Sequence, residues 1–237
     1  MKMFLKNKVS LAHFCAVLSA FTLIAYHWQF FGYMLENINS DLNGVLIAGN
    51  YLFYYLLAFC GRIVGKCILA FLFLANAISV YFINTYQVLI TDSMMGNVFN
   101  THYSEASSFF SWQGVLYFLL LGIAPCVYIF MRKVDYGKTK RFFANIGISF
   151  ATLVIIALVN MPNWTWVDRH VPTLGSLALP WSYTVNTIRY NNQENEKNRQ
   201  AILLPDAKIT TDSKDVCVLI IGESARRANF SLYGYNR

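Results

Sequence analysis

Charged residues are scarce in this sequence. Only 13% of its 237 residues are charged, 56% are hydrophobic, and the mean hydropathy is +0.41. A soluble domain is charged at about a quarter of its positions. The apolar residues are also clustered into long runs. This composition argues against one soluble globular domain and indicates a protein that crosses a membrane several times.

Paired cysteines are missing as well. No CxxC pair exists, and all five cysteines lie in apolar stretches. This placement predicts reduced, buried and inert thiols, because free cysteine is among the most buried residue types. The five are Cys15, Cys60, Cys67, Cys126 and Cys217.

Five apolar runs are about as long as a bilayer requires, which is about 20 residues. The first run could instead be a cleaved signal peptide. Bulky aromatic residues such as Tyr26 and Trp28 follow its core, however, and they favour a retained span. Pro125 is expected to kink the fourth span. The predicted spans are residues 11–35, 45–64, 67–83, 114–131 and 145–161.

Lysine and arginine are absent from two predicted loops. Residues 36–43 and 84–113 contain neither, whereas the start of the chain and the other two loops hold ten between them. Because cytoplasmic loops carry the basic excess, this asymmetry predicts a cytoplasmic N-terminus. Everything after residue 161 then lies outside the cytoplasm, which in a Gram-negative cell is the periplasm. The net charge of +7 is thereby explained, and no nucleic-acid partner is expected.

The chain changes character after the fifth span. Residues 162–180 are expected to be irregular and to lie along the membrane interface, because they contain Trp164 and Trp166. A helix is predicted over residues 183–200. We interpret residues 162–214 as an interfacial and periplasmic linker.

The last stretch predicts a strand. Residues 216–221 are six apolar residues without alternation, as in a strand buried on both faces of a parallel sheet. Glu223 follows at the end of this strand, where open α/β sheets bind ligands. The chain stops soon afterwards, so we expect a truncated sheet. The predicted fold class is mainly α, with a five-helix transmembrane domain at 1–161. The first strand of a truncated periplasmic α/β domain follows at 215–237.

Two motifs carry a resemblance to a known family. One is Gly222-Glu223-Ser224-Ala225-Arg226, followed by the run NFSLYGYNR at residues 229–237; the other is DSMMGNVFNT at residues 92–101. Together with the predicted topology they resemble the phosphoethanolamine transferases. These inner-membrane enzymes modify lipid A or lipopolysaccharide core sugars, and they include the mobile colistin-resistance enzymes. Their catalytic domain is alkaline phosphatase-like and belongs to the alkaline phosphatase and sulfatase superfamily.

The resemblance implies roles for particular residues. Glu223 would be a ligand of a catalytic Zn²⁺, and zinc does accept carboxylate oxygens. Asn97 and Thr101 would hold the headgroup of a phosphatidylethanolamine donor, with Asp92 capping their helix. Asn97 is expected to accept a hydrogen bond from the ammonium group, and Thr101 to bond a phosphate oxygen. Ser224 is expected to cap a helix rather than act as a nucleophile.

The resemblance also implies the reaction. Phosphoethanolamine would pass to a threonine nucleophile and then to lipid A or a lipopolysaccharide core sugar. That threonine and the remaining metal ligands do not occur in this sequence. We therefore expect the chain by itself to be inactive and to confer no polymyxin resistance.

Other interpretations stay open at this point. A phosphoglycerol transferase would share the five-span plan, although the residues after Glu223 disfavour it. A non-catalytic lipid-binding membrane protein would keep the headgroup loop without the chemistry. A transporter is disfavoured because no predicted span has a charged residue near its middle.

Overall fold

A computed structural model of the chain describes residues 8–37, 43–59 and 63–200, and this part is almost entirely helical. The predicted mainly-α class is therefore confirmed for it. The predicted strand at 216–221, with Glu223 and Ser224, lies outside the described residues, so the α/β domain stays a prediction. The described helices are α1 (Leu11–Tyr26), α2 (Trp28–Asn37), α3 (Asn43–Phe59), α4 (Val64–Tyr86), α5 (Asp92–Asn100), α6 (Tyr103–Ser108), α7 (Trp112–Tyr117), α8 (Ala124–Met131), α9 (Thr139–Val159), α10 (Trp164–Leu177) and α11 (Trp181–Gln200).

Three of the described helices are long and apolar enough to cross a membrane. They are α4, α9 and the continuous run Trp112–Met131, which contains α7 and α8. The apolar part of α3 is shorter, covering Ile47–Phe59. A bent pair, α1 with α2, qualifies as a fourth span only if the two helices are counted together. The predicted count of five spans is thus not confirmed.

The predicted first span, residues 11–35, is not one continuous helix. Its two parts, α1 and α2, meet at 68°, and the chain turns at His27, which is fully buried. The Nδ1 atom of His27 lies 3.0 Å from the carbonyl oxygen of Thr22. A side chain thus bonds the backbone where the helix ends, as helix termini require. An uninterrupted apolar run gives no sign of such a break, so the bend was not expected, although the two helices together still qualify as one span.

Pro125 is accommodated by a local change of helix type. The six residues before α8, Phe118–Ile123, form a π-helical segment. Proline has no N–H, so it cannot donate to the carbonyl of Leu121 four residues earlier. The hydroxyl of Tyr26, from α1, donates to that carbonyl. This hydrogen bond therefore gives the Leu121 carbonyl the donor that Pro125 lacks. It also links the predicted fourth span to the first.

The described basic segments meet at one end of the helix bundle. Two short strands, β1 (Val9–Ser10) and β2 (Val134–Asp135), pair in parallel there. Lys66 Nζ donates to the carbonyl oxygen of Arg132 at 2.6 Å, just beyond the end of α8. A cation is favoured at a helix C-terminus. The segment before α1, the first turn of α4 and the segment after α8 thus lie at the same end of the bundle, as the predicted topology requires.

The core of the bundle lies where α1, α3 and α4 meet. Phe14, Tyr54 and Phe73 are each at most 1% exposed. The hydroxyls of Thr22 and Tyr54 lie 2.9 Å apart inside this core. Aromatic rings thus fill the space between the helices, with hydrogen bonds satisfying their polar atoms.

Cysteine burial follows the prediction only in part. Among the described cysteines, Cys15 is buried and Cys126 is half-buried, whereas Cys67 is exposed on α4. The prediction of buried thiols is wrong for Cys67. An apolar run in a spanning helix can face the lipid, so its residues need not lie inside the protein.

The expected irregular structure at residues 162–180 is also wrong. α10 covers Trp164–Leu177 and contains Pro172. Leu174 and Leu177 are buried on one side of this helix. Burial of such a face stabilises a helix more than intrinsic propensity does, so packing outweighs the hydrogen bond lost at the proline. α11 then occupies the stretch for which a helix was predicted.

Candidate functional site

The stretch expected to hold a lipid headgroup folds as α5, outside the membrane-spanning helices. The helix begins after Thr91, whose Oγ1 accepts a hydrogen bond from the N–H of Met94 at 3.3 Å. Asp92 is therefore not the cap, and that expectation was wrong. Thr91 and Asp92 are both good capping residues, so the sequence could not separate them. Asp92 lies in the first turn, where a carboxylate is favoured, and accepts from the N–H of Ser93 at 2.9 Å.

Asn97 and Thr101 are brought together. Thr101 is the first residue after α5, and its hydroxyl donates to the carbonyl oxygen of Asn97 at 2.6 Å. The Asn97 side chain is exposed, and its amide has no hydrogen-bond partner among the described residues. In this geometry Thr101 offers an acceptor oxygen, while Asn97 offers both a donor and an acceptor. The pair can therefore contact a ligand that has both a donor and an acceptor group.

α11 docks on α5 through a stripe of three residues, Asn186, Tyr190 and Gln193. Their spacing of four and three places them on one face of a helix. Asn186 Nδ2 donates to the carbonyl oxygen of Ile90 at 2.6 Å, just before α5 begins. At the far end of α5, Asn100 Nδ2 donates to the hydroxyl of Tyr190 at 3.0 Å. Both ends of the short helix are thus held by one neighbour.

The third contact of the stripe involves a charge. Gln193 Nε2 donates to Asp92 Oδ2 at 2.7 Å. This bond, together with the N–H of Ser93, lowers the pKa of the Asp92 carboxyl below its ordinary value. The ionised carboxylate is therefore the form that accepts from Gln193.

The other end of α11 is anchored in the bundle. The hydroxyl of Tyr183 donates to Asn76 Oδ1 at 3.0 Å, and Asn76 is fully buried in α4. Burial raises the pKa of the Tyr183 hydroxyl, so this group stays protonated and able to donate. The rings of Trp181 and Phe53 also meet, with centroids 4.5 Å apart. α11 therefore connects the core of the bundle to α5.

These α11 residues were not found from the sequence. The only available signal was the spacing of Asn186, Tyr190 and Gln193, which looks like an ordinary polar helix face. Their partners lie about 90 to 100 residues away along the chain, as Asn100 does from Tyr190. Pairing at such a separation cannot be read from a single sequence.

The structure gives no candidate metal site in the part of the chain that it describes. Within residues 8–37, 43–59 and 63–200, no group of three or more His, Cys, Asp or Glu side chains could hold a metal ion. The predicted zinc ligand, Glu223, lies outside this part. The zinc site therefore stays a prediction from sequence.

Comparison with known proteins shows where the chain belongs. The sequence profile of the family described as phosphoethanolamine transferase EptA/EptB matches residues 50–195, which is more than half of the chain. The phosphoethanolamine transferase EptA of Helicobacter pylori is 33% identical over 169 residues, covering 69% of this chain and 31% of that protein. The phosphatidylethanolamine transferase Mcr-1 of Escherichia coli is 24% identical over 193 residues, covering 74% of this chain and 35% of that protein. The chain thus spans about a third of the length of these curated relatives.

A solved structure shares the fold. The integral membrane protein lipooligosaccharide phosphoethanolamine transferase A (EptA) from Neisseria meningitidis superimposes with a TM-score of 0.75 at 19% identity, covering 98% of this chain and 46% of that one. The resemblance inferred from the two motifs is therefore confirmed, and the chain belongs to the phosphoethanolamine transferase family.

Proposed function

We propose that the described helices form the membrane domain of a phosphoethanolamine transferase and that α5 binds the headgroup of its phosphatidylethanolamine donor. The acceptor would be lipid A or a lipopolysaccharide core sugar. Family membership and the names of the relatives support the transfer reaction. The choice of donor and acceptor rests on the resemblance.

One observation carries the headgroup assignment, namely the joined pair of Asn97 and Thr101. The hydrogen of the Thr101 hydroxyl is used by the Asn97 carbonyl, so its oxygen suits an ammonium group. The Asn97 amide N–H is free to bond a phosphate oxygen. This division of roles is the reverse of the one expected from sequence.

Glu105 carries a negative charge four residues after Thr101 in the sequence. It lies in the first turn of α6, is exposed, and forms no ion pair among the described residues. Asp92, in contrast, is already engaged by Gln193 and Ser93. We therefore assign Glu105 as the carboxylate that offsets the charge of the ammonium group.

The site would face the periplasm from the inner membrane. The grouping of the basic segments at one end of the bundle supports this orientation, because that end is expected to be cytoplasmic. Glu223 would hold a catalytic Zn²⁺, which polarises a phosphoryl oxygen when bound. The motif around Glu223 is the support for that assignment.

The headgroup site is tested by lipid binding. The chain is placed in phosphatidylcholine nanodiscs and titrated with phosphatidylethanolamine labelled on an acyl chain, so that its amine stays free. Asn97→Ala and Thr101→Val should each weaken binding about tenfold, because each removes a hydrogen bond to a charged group. Soluble phosphoethanolamine should compete if the headgroup alone is recognised.

Thr152→Val is the matched control. Thr152 makes the same type of bond, from its hydroxyl to the carbonyl of Ile148 at 2.8 Å, but it lies in α9. This variant should bind phosphatidylethanolamine as the wild type does. A wild-type chain with no preference for phosphatidylethanolamine over phosphatidylcholine would overturn the proposed function.

A further inference from the structure

α5 cannot keep its position without help. It has nine residues, and helices shorter than about 12–15 residues are marginal when isolated in water. Gly96 is its one buried residue in the described structure. Packing over Gly96 therefore contributes to the placement of α5, in addition to the hydrogen bonds that α11 makes near its two ends.

The cover over Gly96 is the ring of Tyr190. A Cβ atom added at Gly96 would lie 2.7 Å from Cε2 of Tyr190, which is closer than two non-bonded carbon atoms normally approach. The same ring stacks on Phe99, with centroids 5.9 Å apart. With the bond from Asn100 to its hydroxyl, Tyr190 contacts three residues of α5 within little more than one helical turn. The absence of a side chain at Gly96 is what lets the ring approach.

The residues that Tyr190 touches are the direct neighbours of the headgroup pair. Asn97 follows Gly96, and Thr101 follows Asn100. Asn100 Nδ2 also donates to the carbonyl oxygen of Gly96 at 2.8 Å, so the two contact points are linked. A shift of α5 on Tyr190 must therefore move Asn97 and Thr101 relative to the membrane.

We propose that Tyr190 is a positioning residue of the headgroup site. It does not touch the lipid; it sets the place of Asn97 and Thr101 by filling the notch at Gly96. α11 can do this because Tyr183 anchors its other end to Asn76 in the bundle. This inference rests on the proposed function, since it assigns a role in the binding of the same headgroup.

Four variants test the inference in the nanodisc titration. Gly96→Ala should weaken phosphatidylethanolamine binding about fivefold because the new methyl displaces the ring, and Tyr190→Ala should do the same. The double variant should bind phosphatidylethanolamine no worse than Tyr190→Ala alone, because the clash at residue 96 requires the tyrosine ring. Tyr190→Phe keeps the ring and loses one hydrogen bond, so about a threefold loss is expected.

Gly175→Ala is the control for the effect of alanine in a helix. Gly175 lies in α10, and an added Cβ there meets no atom within 4 Å. This variant should bind within about twofold of the wild type, since uncrowded surface changes have small effects.

Two readouts separate positioning from general stability. Hydrogen exchange of residues 92–101 reports whether α5 stays docked, and the ratio of affinities for phosphatidylethanolamine and phosphatidylcholine reports headgroup selection. Faster exchange together with a reduced ratio, at an unchanged melting temperature of the whole chain, would support the inference. Unchanged exchange in Gly96→Ala, or faster exchange with an unchanged ratio, would overturn it. A wild type that does not select phosphatidylethanolamine would instead mark the failure of the proposed function.

Discussion

Tyr26 belongs to α1 but bonds a carbonyl in the neighbouring span. Replacing it with phenylalanine leaves the Leu121 carbonyl without this donor, at a point where Pro125 offers none. Because a buried carbonyl without a donor costs about 1–3 kcal/mol and this bond is part-buried, Tyr26→Phe should lower the free energy of unfolding by about 1 kcal/mol. Unfolding in mixed micelles of dodecyl maltoside and sodium dodecyl sulfate measures it.

Tyr51→Phe is the control for this change. Its hydroxyl forms no hydrogen bond among the described residues, and its ring stacks on Tyr55 with centroids 6.0 Å apart. The expected change is within about 0.5 kcal/mol. Equal losses in the two variants would show that the Tyr26 hydroxyl contributes nothing specific.

At the scale of single residues, the sequence was informative where the cause is local. The spacing of Asn97 and Thr101 predicted that they lie together, and they do. It could not identify Tyr190, because a tyrosine on a polar helix gives no sign of its distant partner. Nor could it choose between Thr91 and Asp92, since either can cap a helix.

At the scale of elements, the contact between α5 and α11 includes one titratable group. In the folded chain the pKa of the Asp92 carboxyl lies below its ordinary value. The ionised carboxylate therefore stabilises the docking of α11 on α5 at pH values above the ordinary pKa of aspartate. This stabilisation is lost as the pH falls through the pKa of the folded state. The loss should therefore occur below about pH 3.9, the ordinary value for aspartate. Between pH 5 and pH 8, Asp92 should not change the stability of the contact between α5 and α11.

The side-chain amide signals of Gln193 in a nuclear magnetic resonance titration in micelles report this transition. Their shift should have a midpoint below the ordinary value for aspartate and should vanish in Asp92→Asn. A midpoint at or above the ordinary value would contradict the bond between Gln193 and Asp92.

Element boundaries were predicted best where apolar runs end at polar residues. α4 and α9 lie close to their predicted spans. The division of the first run at His27 and the formation of α10 around Pro172 were both missed. In each case, packing against other helices determines the backbone conformation. The periodicity of apolar residues along the chain does not predict that packing.

At the scale of the whole molecule, the orientation in the membrane can be tested by thiol labelling. Ser107→Cys in α6 and Lys138→Cys before α9 are made in a background without native cysteines; both positions are exposed. In intact cells a membrane-impermeant maleimide should label Ser107→Cys and leave Lys138→Cys unlabelled, because the basic end is predicted to be cytoplasmic. Permeabilised cells should show both labelled, and the reverse pattern in intact cells would contradict the orientation.

The bend at His27 also has a consequence for the surrounding lipid. α1 has 16 residues, so it rises about 24 Å at about 1.5 Å per residue, which is less than the roughly 30 Å thickness of a bilayer's hydrocarbon layer. A short hydrophobic length is matched by local thinning of the bilayer or by tilted lipids. We therefore expect the bilayer to be thinner beside α1 than beside α4 and α9, which have 23 and 21 residues. Lipid molecules that diffuse around the bundle would then cross a step in bilayer thickness.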